Sequence, residues 1–238
     1  MTKNNSLFFP FAADLVNFNQ NWDLHAHTYF GDGRNSVNEM IISAESKRIK
    51  KFALTEHVRG SSLSWWDDYV DQIKKKRQQM QLQVLIGIEA NAIGEAGNVD
   101  VPAPVWEDVE IALGSVHGYY VDETWEKIDA VTLLREDAIK YELEKIIGLC
   151  SNRFINVIAH PFWLYSKIHG KVPSEILQEV FHEAKVTDTA VEISLYYLDN
   201  PRKTIELLLD ENPMVSFGSN AHSIDEIKNI LPDIQKYL

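Results

Sequence analysis

The histidines and carboxylates of this chain recur in short, regular settings. His25 and His27 are two positions apart, as are Asn220 and His222. Glu56 precedes His57, while Glu89, His117 and His160 each follow a short apolar run. Neutral imidazoles and carboxylates are the ligands that divalent metals take, and at this density they read as a metal-ligand inventory. Residues two apart on an extended segment point the same way. Both rings of His25-Ala26-His27 can therefore face one ion, and Asn220-Ala221-His222 repeats the spacing. His169 and His182 lie outside this pattern and read as ordinary surface or helix residues.

Something must carry these groups to one place. Seven apolar runs read as strands: Trp22–Leu24, Phe52–Leu54, Val84–Ile88, Val109–Leu113, Ile155–Ala159, Ala190–Ile193 and Met214–Phe217. They are short and bounded by polar residues, as parallel strands buried on both faces are. Helical spacing fills most of the gaps. Ser36-Val37-Asn38-Glu39 reads as a capping box opening a helix to about Arg48. Further helices are predicted over Trp65–Gln79, Lys127–Leu149, Pro173–Ala184, Pro201–Leu209 and Ile224–Tyr237. The third carries an apolar stripe of Ile128, Val131, Leu134, Ala138 and Ile139. Strand then helix, repeated, predicts an α/β fold with a parallel sheet, as a closed barrel or an open doubly wound sheet. The connection Ala90–Asp108 is long and has little helical pattern, which marks it as functional or as lying over a site. In either architecture ligands bind beyond the C-terminal ends of the strands, and that is where these histidines fall.

The 238 residues carry a formal charge of −12 and are 45% hydrophobic, ordinary for a globular chain with a sizeable core. That balance disfavours a protein that coats nucleic acid or docks electrostatically on anionic membranes. The single cysteine, Cys150, excludes an internal disulfide and suggests a cytoplasmic protein. Met1 to Asn21 lacks a signal-peptide pattern, and its Leu7–Phe11 patch is expected to pack on the domain spanning 22–238. No stretch has the length of a membrane helix.

Together the motifs resemble the PHP (polymerase and histidinol phosphatase) superfamily. Asp23-Leu24-His25-Ala26-His27-Thr28, Gly31-Asp32-Gly33 and Thr55-Glu56-His57 are similar to its opening motifs. Gly87-Ile88-Glu89, Gly114-Ser115-Val116-His117, Ala159-His160-Pro161 and Gly218-Ser219-Asn220-Ala221-His222 resemble its later ones, in order. The resemblance implies a distorted (β/α)7 TIM-like barrel, in one domain, with two or three divalent metals (zinc, manganese or iron) at its C-terminal mouth. It implies His25, His27 and Glu89 at a first metal, Glu89, His117 and His160 at a second, and Asp32, His57 and His222 at a third. Glu89, His117 and His222 would stand closest to the reaction. Asn220 stands where the family has an Asp ligand of the first metal, which removes one negative charge there.

The activity this implies is metal-assisted hydrolysis of a phosphoester, with a small phosphomonoester of the histidinol phosphate type as the leading substrate. The rivals are a phosphodiesterase or exonuclease acting on nucleotides or short oligonucleotides, and a degenerate metal-binding domain, which Asn220 permits. Neither a membrane nor a nucleic-acid partner beyond a short substrate is expected. Glu56 is expected to hold an imidazole tautomer, with Asp23 and Glu192 as further candidates. Arg59 is the leading arginine for phosphate, with Arg202 and Arg34 behind it, because the guanidinium fork matches phosphate oxygens. The run Lys74-Lys75-Lys76-Arg77 reads as a solvated helix face.

Overall fold

The structure, a computed structural model, describes residues 8–93, 97–121, 124–126 and 134–238. Strands and helices alternate through it. β1 (Trp22–Asp23), α1 (Val37–Ser46), β2 (Lys51–Val58), α2 (Leu63–Arg77) and β3 (Gln83–Ile93) open the chain. β4 (Asn98–Val99), β5 (Ile111–Ser115), the hairpin β6 (Tyr119–Val121) and β7 (Thr124–Glu126), and α3 (Arg135–Ser151) follow. β8 (Val157–Ile158), α4 (Trp163–His169), α5 (Leu177–Val186), β9 (Ala190–Glu192), α6 (Pro201–Glu211), β10 (Met214–Ser216) and α7 (Leu231–Gln235) complete it.

The main sheet runs β1-β2-β3-β5-β8-β9-β10, all neighbours parallel, with β4 antiparallel on the end of β3. Its two ends meet. Leu24 N–H donates to the Phe217 carbonyl at 2.7 Å, and Ala26 bridges Ala221 in parallel. Strand and helix pattern alone left a barrel and an open sheet open; this contact makes the fold the distorted seven-stranded barrel that the resemblance implied. Asp23, fully buried, reinforces the seam by accepting from Ser219 N–H at 2.8 Å and Ser219 Oγ at 2.6 Å.

Strand alternation separates two cores. Phe52, Leu54, Val84, Ile86, Ile88, Ala112, Ile158, Val191 and Val215 face the helices. Ala53, Leu85, Ile111, Leu113, Val157, Ala190 and Met214 form a separate inner cluster, closed by Phe9. Phe9, which is 4% exposed, thus packs on the barrel. Register pairs Ala53 with Leu85, so the inner side chains lie in layers.

All seven expected strands form, and the α1 capping box is present, with Glu39 N–H donating to Ser36 Oγ and Ser36 N–H to the Glu39 carboxylate. Three expectations need correction. The third helix begins at Arg135, not Lys127. Leu134 is extended (ψ 153°) and 76% exposed rather than part of an inward stripe, and Thr124–Glu126 is strand. Ile128 and Val131 lie outside the described residues. The last helix is only Leu231–Gln235, not Ile224–Tyr237. Lys47 Nζ donates to the carbonyls of Ile224, Asp225 and Ile227, which an extended helix would use internally. Pro232 further disfavours helix before it. Finally, the Ala90–Asp108 connection is partly regular, because β3 continues to Ile93 and pairs with β4. α4 and the β6–β7 hairpin were not anticipated, being too short to show a period.

Candidate metal centre

The inward side of each strand changes chemistry toward its C-terminal end. After Ala53 come Thr55 and His57, after Leu85 come Gly87 and Glu89, after Leu113 come Ser115 and His117, and after Ala190 comes Glu192. All keep the same parity, so the pleat that aims the inner core also aims these groups. The β2–β3 register sets His57 directly beside Glu89. His25 and His27 follow β1, His160 follows β8, and Asn220 and His222 follow β10.

Glu89 is the hub. It is 1% exposed, and five imidazoles surround it. Its Oε1 lies 2.8 Å from His160 Nε2 and 3.2 Å from His117 Nε2. Its Oε2 lies 3.2 Å from His57 Nδ1, 3.3 Å from His25 Nε2 and 3.4 Å from His27 Nε2. Burial alone would raise the carboxyl pKa, but His117, His25 and His160 outweigh it and hold Glu89 well below the usual carboxylate range. At the rim, Asp32 Oδ1 is 3.3 Å from His222 Nε2 and Oδ2 is 3.6 Å from His57 Nε2. Interaction with His222 and His57 holds the Asp32 carboxyl well below its ordinary range. Asn220 Oδ1 sits 3.1 Å from His27 Nε2.

These atoms fit metal better than they fit each other. Glu89 Oε2 has no hydrogen-bond partner although three ring nitrogens face it, and buried His27 Nδ1 has none either. His25 Nε2 and His27 Nε2 approach to 3.1 Å. Buried nitrogens and oxygens converging without protons to share are what a common cation satisfies. Burial drives the His27 pKa well below the ordinary imidazole value, the neutral state a ligand needs.

Three ligand groups result: His27, Asp32, His57 and His222; His25, Glu89 and His160; and His57, Glu89 and His117. Glu89 is shared between two of these groups. The first implied set also converges, with His25 Nε2 and His27 Nε2 3.1 Å apart and 3.3 and 3.4 Å from Glu89 Oε2. So does the second, with His117 Nε2 and His160 Nε2 3.4 Å apart on Glu89 Oε1. The His27 ring stacks between His57 at 4.6 Å and His222 at 4.5 Å, so this residue stands between the first and third sets.

Of the supporting acids, Glu56 departs from expectation and Glu192 follows it. Glu56 does not hold an imidazole; its Oε1 accepts the Thr28 N–H at 2.6 Å. It sits on the opposite parity from His57 and fixes the loop after β1. A Cβ on Gly31 would lie 2.5 Å from Glu56 Oε2, so a larger residue there would push that carboxylate aside. Burial raises the Glu56 carboxyl to about 7. The acid on an imidazole is Glu192. Its carboxylate lies 3.0 and 3.2 Å from His25 Nδ1 and accepts the His160 N–H at 3.0 Å. Burial works to lower the His25 pKa, but Glu192 and Glu89 outweigh it and raise it. Gly218 leaves room for this pair, since a Cβ there would strike Glu192 Oε1 and His25 Cβ.

Sequence reading missed Glu142, buried in α3, which accepts the N–H groups of Leu164 at 3.2 Å and Tyr165 at 2.7 Å. It thereby caps α4, just after His160-Pro161-Phe162, where His160 (φ 27°) and Phe162 (φ 64°) are left-handed. Only an acid at helical spacing within an apolar face hinted at it.

From the cluster a cleft of about 950 Å³ opens outward. His160, Asn220 and His222 stand at its inner end, and Trp163, Lys167, Tyr196 and Lys228 stand farther out. Arg59 and Arg202 are exposed, the first after β2 and the second at the start of α6, and neither lines this cleft. The backbone N–H of Arg34 donates to the His222 carbonyl at 2.8 Å.

A parallel barrel with a buried histidine and carboxylate cluster at the C-terminal mouth defines the chain as a barrel protein of the metal-binding kind. Residues 23–233 match the model of the PHP domain, and the chain belongs to that family. A Caldicellulosiruptor bescii protein named a probable phosphatase is 24% identical over 212 residues, 84% of this chain and 79% of that protein. Two solved structures share the fold. One, from Listeria monocytogenes and assigned as a histidinol phosphatase, has a TM-score of 0.67 at 17% identity, covering 86% of this chain and 96% of that one. The other, Lactococcus lactis histidinol phosphate phosphatase complexed with zinc, L-histidinol and phosphate, has a TM-score of 0.61 at 14% identity, covering 91% and 90%.

Proposed function

We propose that this protein is a metal-dependent phosphoesterase that hydrolyses a small phosphomonoester, histidinol-phosphatase-like in its chemistry. The observation that carries this reading is Glu89, a buried carboxylate whose two oxygens meet five imidazoles. The relatives named as phosphatases support it. The ligands assigned are His25, His27, Asp32, His57, Glu89, His117, His160 and His222, with Asn220 as a neutral oxygen donor. The three groups they form would hold two or three divalent ions. Mixed nitrogen and oxygen ligation suits zinc, manganese or iron.

Bound divalent metal polarises phosphoryl oxygens and lowers the pKa of a coordinated water from 15.7 toward about 7. This chain's residues do the rest. Glu89 ties two ligand groups together through its two oxygens. Glu192 fixes the ring of His25 through Nδ1 and leaves Nε2 facing the centre. Buried walls keep bulk water from the inner cluster, while half-exposed Asp32 and His222 stand at the entrance. The cleft fits a small-molecule substrate. Its phosphate end would lie against His160, Asn220 and His222, and Arg59 remains a candidate for the rim.

No described helix is long and apolar enough to cross a membrane. A cytoplasmic location suits the one, buried cysteine. The test is turnover of phenyl phosphate and of diphenyl phosphate, before and after dialysis against a chelator. Monoester turnover that disappears with the metal and returns on its re-addition is expected. Preferential diester turnover would favour a nuclease-like reading. Bound metal without either turnover would make the domain a metal-binding one, and turnover surviving full metal removal would overturn the mechanism.

A further inference from the structure

Most imidazoles of the mouth are steadied through their second ring nitrogen. Glu192 lies 3.0 Å from His25 Nδ1, Ser115 Oγ 3.3 Å from His117 Nδ1, and the Asn220 carbonyl 2.9 Å from His222 Nδ1. His57 has a carboxylate at each nitrogen, Glu89 and Asp32. His27 has no hydrogen bond at Nδ1, but its ring is packed between those of His57 and His222. His160 differs. Its Nε2 lies 2.8 Å from Glu89 Oε1, and its buried Nδ1 has no partner. A ligating imidazole ordinarily has its outer nitrogen hydrogen-bonded, which fixes the ring. At His160 the main chain must set the position instead.

That main chain is strained. His160 (φ 27°) and Phe162 (φ 64°) are both left-handed, and neither is glycine. Such a backbone persists only where its surroundings over-determine it. Two buried acids grip the turn from opposite ends. Glu192 Oε2 accepts the His160 N–H at 3.0 Å. Beyond Phe162, Glu142 Oε1 accepts the Leu164 N–H at 3.2 Å and Oε2 the Tyr165 N–H at 2.7 Å. Phe162 supplies no side-chain cap to α4, so these N–H groups would otherwise be orphans. Glu142 is 1% exposed, and burial pushes its carboxyl up to about 8 against the pull of the same N–H groups. An acid is unfavourable in such a place unless its hydrogen bonds are needed. The Trp163 N–H donates to the His160 carbonyl at 3.0 Å, so a shift of α4 reaches His160 directly.

We propose that Glu142 is a positioning residue of the metal centre: by holding the start of α4 it fixes the backbone of His160, a ligand whose outer ring nitrogen has no partner. The inference rests on the metal-dependent reading above and deepens it. Glu142 acts through α4 and not on the reacting atoms. Without its two acceptors the turn relaxes and His160 Nε2 is no longer held against Glu89.

The test compares wild type, Glu142→Gln, Glu142→Leu and Leu85→Ala. Gln keeps one acceptor oxygen and Leu keeps none, while Leu85→Ala weakens the inner core away from the mouth. Competition with a graded chelator reads zinc affinity, and thermal unfolding of the metal-free proteins reads stability. Glu142→Leu should bind zinc about 10- to 100-fold more weakly and Glu142→Gln should lose less, whereas Leu85→Ala should keep wild-type affinity at a lower Tm. Cobalt-loaded Glu142→Gln should also show an altered visible absorption per bound ion, a coordination signature that lost stability does not produce. Wild-type zinc affinity and cobalt absorption in both Glu142 variants, or a Leu85→Ala affinity that falls in step with theirs, would make Glu142 a plain helix cap and overturn this inference alone. Should Glu142→Leu fail to fold, Glu142→Gln decides by the same two readouts. Wild-type protein that takes up neither zinc nor cobalt overturns the metal-dependent reading, and this inference with it.

Discussion

The two ends of the barrel interior are built on the same strands with the same parity and do opposite things. At the N-terminal end Ala53, Leu85, Ile111, Leu113, Val157, Ala190 and Met214 pack under Phe9 as a dry plug. A few residues further along, inward positions become Thr55, His57, Glu89, Ser115, His117 and Glu192. The first end gains stability from apolar burial. The second holds buried polar groups whose mutual hydrogen bonds are incomplete, with Glu89 Oε2, His27 Nδ1 and His160 Nδ1 all unpartnered. An interior that leaves such atoms unsatisfied is stabilised by what it binds, so the plug supports the fold and the mouth supports chemistry.

Breaking the mouth at its hub has the largest expected effect. Glu89→Gln removes the charge shared by two ligand groups, and phosphomonoester turnover should fall on the order of 1000-fold with loss of at least one metal equivalent. Steady-state kinetics with elemental analysis checks this, and a variant retaining full metal and full activity refutes the assigned hub. Glu192→Gln is next. It keeps the shape but weakens the hold on His25, and metal affinity or activity should drop about 10- to 100-fold. Competition with a graded chelator reads the affinity; an unchanged value would make Glu192 a purely structural link.

Leu85→Ala sharpens the contrast from the other end. Truncating this inner-core leucine should cost about 2–5 kcal/mol of stability. Metal stoichiometry and KM should stay unchanged in the protein that remains folded. Denaturant unfolding followed by metal analysis tests it, and metal loss without destabilisation would erase the distinction between plug and mouth. The smallest effect belongs to Asn220→Asp. A carboxylate 3.1 Å from His27 Nε2 adds charge to the centre and should tighten metal on the order of tenfold, while Asn220→Ala should loosen it less. Metal titration of both variants decides, and identical affinities would remove residue 220 from the ligand set.

How far the sequence reached differs by element. The seven strands and the residues ending them were legible because a buried parallel strand is a short apolar run and its neighbours in sequence inherit its direction. α4 was not, because seven residues give no readable period. Leu134 fitted a helical stripe on spacing alone, yet it is extended and in solvent just before α3. Glu56 stood beside His57 in sequence and was therefore expected to serve an imidazole, but adjacent strand residues face opposite sides. Glu192, far away in sequence, arrived at His25 instead.

By itself the sequence determined the inventory: which strands exist, which side of each faces inward, and that imidazoles and carboxylates crown them. Those properties are local, fixed by the two-residue pleat and by the types of neighbouring residues. Only the tertiary structure decided the grouping. Closing the sheet through Leu24 and Phe217 brings β1 against β10 and sets His27 between His57 and His222. The same closure, with α4 and the segment before α7, shapes the cleft and leaves Lys167 and Lys228 facing it. Distances across a closed barrel depend on strand order and register, which no stretch of sequence encodes alone.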